Sequence, residues 1–465
     1  MAFYTLNSGY NNMNTFNVAK FGGTSMADFD AMDRCAQIIL ADENIRLVVV
    51  SASSGITNKL TALASPTCTD DTREQVISQI TEQHNDILAS ISNEKVAKIQ
   101  LDYLLMSLAK VSTQIAKAHS LQLVDELLSF GELLSSLIFT EVLRRRIPNA
   151  ELFDARTVMQ TDSFSGHAEP QIEQIKHMTE QWLLSRCQQN VVVTQGFIGS
   201  DENGKTTTLG RGGSDYSAAL FAEALDANNL QIWTDVDGVY TTDPRMAPNA
   251  RSIPELNFCE AAELSTFGAK ILHPSTLWPA IRQNISVYVG SSRDRTKPGT
   301  WIKREVSTAP NFRALATRAN QTLLTVTSLS MLHSYGFLAK VFAVLAEHKI
   351  SVDLVTTSEV SVAITLDVVG SQPDTDSGLC LLRQEVIDQL SELGEVKIKH
   401  GLALIALVGN GIEQQSGVSA RVFSALSPYN LRMICHGASG HNICFLVEQS
   451  EASDVVCSLH RELFE

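Results

Sequence analysis

Along the first two thirds of the chain, hydrophobic positions gather in short unbroken runs separated by longer periodic stretches. Five runs are rich in β-branched residues and predict strands: FNVAKF from Phe16, LVVVSAS from Leu47, VVVTQGF from Val191, LQIWTDV from Leu230 and ISVYVGS from Ile285. They are nearly continuous rather than alternating, which predicts strands covered on both faces of a mostly parallel sheet. Between them the spacing turns helical. Phe29, Met32, Cys35, Ala36 and Ile39 form one stripe over 28–42. From Pro66 to Pro148 there is no intervening proline and a single glycine, Gly131, so this tract predicts a block of amphipathic helices. Alternating strands and helices predict an α/β domain of three layers. Ligands in such sheets gather where the chain leaves the carboxyl ends of the strands.

Past Pro310 the pattern repeats itself. GFLAKVFAVLAEHKISVDLVTTSEVSVAITL from Gly336 aligns without gaps on GVSARVFSALSPYNLRMICHGASGHNICFLV from Gly417. A strand-like run precedes each copy, TLLTVTS and LALIALVG. Each copy then reads strand, helix, strand, strand, which predicts two copies of a small α+β module.

The polar and glycine-rich runs fall at the strand ends. GSDENGKT from Gly199 fits the phosphate-binding pattern G-x-x-x-x-G-K-[ST]. That pattern requires a helix opening at its Lys-Thr. Lys205 instead leads into TTTLGRGGSD, a poor helix start, and Asp201 and Glu202 would repel phosphate. Asn203-Gly204 predicts the tip of a β-hairpin. Other strand ends carry better chemistry. In VAKFGGTSMADFD, Gly22 and Gly23 let the backbone approach an anion, a helix opens near Ser25 to Asp28, and Lys20 supplies a cation. SASSGITN (51–58) is small and rich in hydroxyls. In TTTLGRGGSDYSAA, Arg211 can fork onto a carboxylate and Asp215 can orient metal or substrate. WTDVDGVYTTDPR combines aspartate turns with the ring of Tyr240 and the cation of Arg245, a set suited to a nucleotide. It lacks the further ligands of a calcium loop. FGAKILHP places Lys270 and His273 near a helix end.

The composition narrows the classes. With 44 % apolar and 19 % charged residues in 465, a sizeable core can be buried in two or three domains. A formal charge of −15 disfavours a nucleic-acid partner. No apolar run reaches the roughly 20 residues of a membrane span. Eight scattered cysteines with no C-x-x-C pair read as reduced thiols. The opening MAFYTLNSGYNNMN has neither the basic nor the apolar region of a secretory leader. A cytoplasmic protein without membrane or nucleic-acid partners is expected.

KFGGTS, SASSGITN, SFGELLS (129–135), TQGFIGS, TTTLGRGGSDYSA, WTDVDGVYTTDPR and FGAKILHP together closely resemble aspartokinases of the amino acid kinase family. The repeated tail resembles their paired ACT modules, and the likeness covers nearly everything after residue 14. Within the family the chain looks most like the single-function, lysine-sensitive branch, since it ends at HRELFE without a dehydrogenase portion. The opening residues 1–14 read as a polar tail that the resemblance does not cover; the resemblance implies a three-layer kinase domain over 15–308, and ferredoxin-like ACT domains over 312–395 and 396–465. It implies phosphoryl transfer from ATP, with Mg2+, to the side-chain carboxylate of L-aspartate. Lys20 would lie on the transferred phosphate and Asp215 would order the lysine and the magnesium region. Arg211 would hold the substrate's α-carboxylate and Glu132 its ammonium, with Ser51 and Thr57 nearby. Gly22, Gly23, Thr234, Asp235, Tyr240, Arg245 and Lys270 would face the nucleotide. L-Lysine as effector would meet Met331, Ser334, Phe337, Leu338, Ser351, Val352 and Asp353 in the first module. The second module has Met433 and Ile434 at the positions of Val352 and Asp353, and is expected to serve packing and pairing into a dimer or tetramer. Two rival functions share parts of the pattern. One is another amino acid kinase, which WTDV-x-G-x-YTTDPR and the ACT pair disfavour. The other is a non-catalytic sensor, which the joint presence of Lys20, Arg211 and Asp215 disfavours.

Overall fold

The computed structural model describes residues 16–91, 95–268, 272, 274–332, 334–367 and 382–465. The N-terminal tail, Lys270 and His273 lie outside the described residues. The chain divides into two compact units. The first comprises Met1–Val239, Ser252–Phe258 and Lys270–Val306; the second comprises Tyr240–Arg251, Cys259–Ala269 and Ser307–Glu465.

The strands of the first unit are β1 (Asn17–Phe21), β2 (Ile45–Val50), β3 (Glu151–Phe153), β4 (Val192–Gln195), β5 (Ile198–Ser200), β6 (Thr206–Thr208), β7 (Asn229–Thr234), β8 (Glu255–Asn257), β9 (Ser286–Ser291) and β10 (Thr300–Lys303). Eight of them form one sheet in the order β3-β4-β2-β1-β7-β9-β10-β8. Neighbours run parallel except β9 and β10. Every residue of β1 and β4 is buried, which is why those runs are unbroken in the sequence. Helices α1 (Phe29–Ala41), α2 (Ile56–Ala64), α3 (Asp70–Ala89), α4 (Lys95–Lys117) and α5 (Leu121–Arg144) build the main core with the sheet. Asp28 caps α1 by accepting from the Ala31 amide at 2.8 Å. The layout is completed by α6 (Ile172–Trp182), α7 (Leu184–Gln189) and α8 (Gly213–Ala224), then α9 (Phe258–Thr266) and α10 (Pro274–Gln283). α9 belongs, from Cys259 onward, to the second unit.

β5 and β6 pair as an antiparallel hairpin. Asp201 accepts the amides of Asn203 and Lys205, and Gly204 takes a positive φ of 72° at the tip. No helix opens at Lys205, so GSDENGKT is a hairpin end and not a phosphate loop.

The second unit contains β11 (Ala314–Thr327), β12 (Ser351–Thr357), β13 (Ser361–Asp367), β14 (Glu395–Val408), β15 (Met433–His436) and β16 (Asn442–Glu448) in one antiparallel sheet, ordered β12-β13-β11-β14-β16-β15. Its other helices are α11 (Phe337–Glu347), α12 (Gln384–Ser391), α13 (Val418–Ala425) and α14 (Ala452–Phe464). The repeat is visible in the packing. Gly336 and Gly417 open α11 and α13 with φ of 78° and 85°. Phe337, Val341 and Leu345 bury one helix, and Val418, Val422 and Leu426 bury the other. β11 and β14 pair along the middle, so the two copies share a single sheet.

Candidate active site

The register of three strands brings the site together. β1 lies between β2 and β7, with Phe21 opposite Val50 on one side and Trp233 on the other. The turns after these strands therefore start side by side. The Gly22 amide donates to the Trp233 carbonyl and the Ser51 amide to the Phe21 carbonyl, both at 3.1 Å. Gly22 has an ordinary φ of −75°, so its freedom to turn left is not what the position needs. Close approach is the need at Gly23, where a Cβ would stand 3.1 Å from the Ala52 carbonyl.

Lys20 is 8 % exposed, and its Nζ lies 2.5 Å from Oδ1 of Asp215 in the first turn of α8. α8 begins there because Gly210 and Gly212 adopt left-handed φ of 73° and 74°, which turns the chain out of β6 and into the helix. A cation beside a glycine turn and a helix start is suited to an anionic phosphate.

Glu132 reaches the same strand ends from the middle of α5. It is 5 % exposed, and Oε1 accepts the Ala52 amide at 3.1 Å. The approach depends on Gly131, where a Cβ would stand 2.7 Å from that of Ala52. Burial pushes the Glu132 carboxyl up to about 8, while the Ala52 amide and the charge of Lys20 pull the other way. A buried carboxyl of this kind suits an ammonium, which would return it to the ionised form.

Further polar contacts pin α5 and the neighbouring turns, beyond the residues that sequence reasoning singles out. Ser135 donates to the Ser51 carbonyl at 2.8 Å, and Gln195 at the end of β4 donates to Ser136 Oγ at 2.7 Å. Ser25 donates to Ser292, which donates to the Thr234 carbonyl, at 2.7 and 3.1 Å. Gly131 is the available signal for the α5 contacts, as the one glycine in a long helical tract. Nothing in the spacing of Ser25 and Ser292 announces their contact.

The remaining expected residues separate by position. Ser51 is half-buried, and Thr57 is exposed in the first turn of α2. Arg211 is exposed on the loop between β6 and α8. Thr234 donates to Asp235 at 3.3 Å, and Asp235 faces Arg293 at 3.7 Å. Tyr240 and Arg245 fall in the second unit, where Arg245 forks onto Asp243 at 2.6 Å and holds that carboxyl below its usual range. In the regulatory repeat, Met331, Leu338 and Val352 pack on one apolar cluster with Phe337. Ser334 donates its amide to the Met331 carbonyl at 3.2 Å. Ser351, Val352 and Asp353 open β12. Asp353 is paired with Arg318 at 2.6 Å, and Arg318 also donates to the Thr266 carbonyl at the end of α9. Ile434, in place of the acid, is 41 % exposed on β15.

Residues 15–291 match the model of the amino acid kinase family, and 405–463 match that of an ACT domain. The chain is 52 % identical to the lysine-sensitive aspartokinase 3 of Escherichia coli K12, over 96 % of this chain and 99 % of that protein. The chain belongs to the aspartokinases. It is 35 % identical to the chloroplastic aspartokinase 1 of Arabidopsis thaliana, over 96 % of this chain and 80 % of the relative. Two crystal structures of Escherichia coli aspartokinase III cover 97 % of this chain and 100 % of theirs, at 52 % identity. The R-state complex with aspartate and ADP superposes with a TM-score of 0.87, and the T-state complex with lysine and aspartate with 0.83. As in other aspartokinases, a three-layer kinase domain is joined to ACT modules. No described helix is long and apolar enough to cross a membrane.

Proposed function

We propose that the protein transfers the γ-phosphoryl group of ATP to the side-chain carboxylate of L-aspartate, giving 4-phospho-L-aspartate, and that L-lysine inhibits it through the ACT repeat. The observation that carries this reading is the pairing of two unlike sites at adjoining strand ends. Lys20 with Asp215 stands at a glycine turn fit for phosphate, and buried Glu132 stands against the next turn, fit for an ammonium. The aspartate ammonium meets Glu132, and Arg211 forks onto the α-carboxylate. Ser51 and Thr57 border the substrate. Its free carboxylate then faces the phosphate held by Lys20, Gly22 and Gly23. Lys20 neutralises charge on the transferred group, and Asp215 keeps its ammonium in place. Thr234 and Asp235 take the nucleotide side, with Lys270 assigned to the same ligand. A single carboxylate at the phosphate turn suits magnesium that keeps phosphate and water oxygens as its other ligands; when bound, the ion supplies further neutralisation of those oxygens.

The effector's ammonium is assigned to Asp353, where it competes with Arg318. Met331, Ser334, Phe337, Leu338, Ser351 and Val352 line its remaining contacts. Lysine acts by favouring one of two states of the enzyme. The second module, lacking the acid, serves packing and the pairing of copies into a homo-oligomer. A panel of acceptors tests the assignment, with ADP release measured for L-aspartate, L-glutamate, N-acetyl-L-glutamate and nucleoside monophosphates. Turnover with L-aspartate alone, lost in Arg211→Ala through a raised KM for aspartate, is the expected result. Turnover with another acceptor in preference would overturn it.

A further inference from the structure

Two turns before Glu132 on the same helix lies a second buried carboxylate, Asp125, with no role in the chemistry above. It is fully buried. Its hydrogen-bond partners among the described residues are neutral: the Thr208 hydroxyl at 2.6 Å, the Gly166 amide at 3.1 and 3.0 Å to its two oxygens, and the Ser165 side chain. Burial holds its carboxyl above the usual carboxylate range, with those donors pulling it back. A buried carboxylate facing neutral donors is costly beside an apolar residue of the same size. What it offers in return is directional: several donors fixed on one point.

Those donors lead to the substrate loop from two sides. Thr208 is the last residue of β6, three before Arg211, and its carbonyl accepts the Ala168 amide at 2.8 Å. Gly166 precedes His167, whose Nδ1 occupies the space a Cβ on Gly210 would need. The loop is then closed by the Gly213 amide donating to the Gly210 carbonyl at 3.0 Å. Asp125 thus fixes both the strand entering the Gly210–Gly213 loop and the segment pressed against it. Residues seven apart on a helix share a face and lie about 10.5 Å apart along its axis. One rigid helix therefore carries the anchor of the Arg211 loop and the carboxylate of Glu132.

We propose that Asp125 is a positioning residue for the amino-acid substrate, holding Arg211 at the spacing from Glu132 that an α-amino acid requires. This rests on the assignment of Arg211 and Glu132 to the two ends of aspartate. Asp125→Asn should raise KM for L-aspartate by about ten- to a hundredfold while leaving KM for ATP within about twofold. In the Arg211→Ala background the same substitution should change kcat/KM for aspartate by less than about twofold, because its effect passes through Arg211. Thr208→Val removes one donor and should reproduce the effect in weaker form, should Asp125→Asn fold poorly. Equal rises in both KM values, or effects of Asp125→Asn and Arg211→Ala that simply add, would show a merely structural role and overturn the proposal. An Arg211→Ala enzyme with unchanged KM for aspartate would instead sink the underlying assignment.

Discussion

The Glu132 carboxyl, pushed up to about 8 by burial, is mostly protonated at neutral pH until a further cation reaches it. If it binds the aspartate ammonium, binding below about pH 8 must release a proton. KM for L-aspartate should then fall as pH rises from 6 and level off above about 8. The free protein has the opposite sign. A carboxyl raised above its unfolded value favours folding fully below its ordinary range and progressively less up to about 8. The ligand-free melting temperature should therefore decline over that window, by an amount that Glu132→Gln removes. A pH-independent KM, measured by initial rates at saturating ATP, would contradict the role of Glu132. Lys20 admits a sharper test: Lys20→Ala should lower kcat by about 10²–10³ and leave lysine binding, measured by calorimetry, unchanged. Loss of both would indicate misfolding. These two residues differ in legibility. Lys20 stands at a strand end before two glycines, a pattern with a mechanism. Glu132 sits in an apolar helix, where a glutamate ordinarily marks the exposed face, and the family motif alone singles it out.

At the scale of elements, α5 is the part on which the site depends most. Its buried face carries Glu132, Ser135 and Ser136 to the ends of β2 and β4. Gly131 sets its distance. Gly131→Ala would drive a methyl group into that of Ala52, with Leu60 at 3.3 Å leaving little room to yield. A loss of roughly 1–3 kcal/mol is expected, read from denaturant unfolding, together with a raised KM for aspartate. A variant as stable and active as the parent would show that the helix can withdraw freely. β1, β2, β4, β7 and β9 are legible because they are mostly buried and sit in unbroken apolar, β-branched runs, and the hairpin because Asn203-Gly204 demands a turn. β3, β8 and β10 are not legible as strands. They are three or four residues long and, unlike β4, are interrupted by polar residues and sit in no continuous apolar run, so no pattern registers.

Across the whole molecule, the repeat at an offset of 81 residues foretells two α+β copies, and the packing of α11 and α13 matches it residue by residue. That the copies share one sheet through β11 and β14 cannot be read from the sequence, because strand partners far apart along the chain leave no local pattern. Nor does the sequence announce that Tyr240–Arg251 and Cys259–Ala269 belong with the regulatory unit. Within that unit, Glu260 is fully buried against Arg313 at 2.7 Å, and Glu263 accepts from Ser439 and Asn442. Asp353 is the residue on which lysine sensitivity should turn. Asp353→Ala should raise the inhibitory lysine concentration at least about tenfold, the scale of a typical coupling energy, with turnover in lysine-free buffer preserved. Retained sensitivity would place the effector elsewhere. The most direct measurement is ATP turnover by the full chain with Mg2+ and L-aspartate, trapping the acyl phosphate as its hydroxamate, with and without L-lysine. Hydroxamate that forms with aspartate and disappears with lysine is the expected result. No hydroxamate from aspartate would contradict the assigned reaction, and hydroxamate indifferent to lysine would contradict the assigned effector.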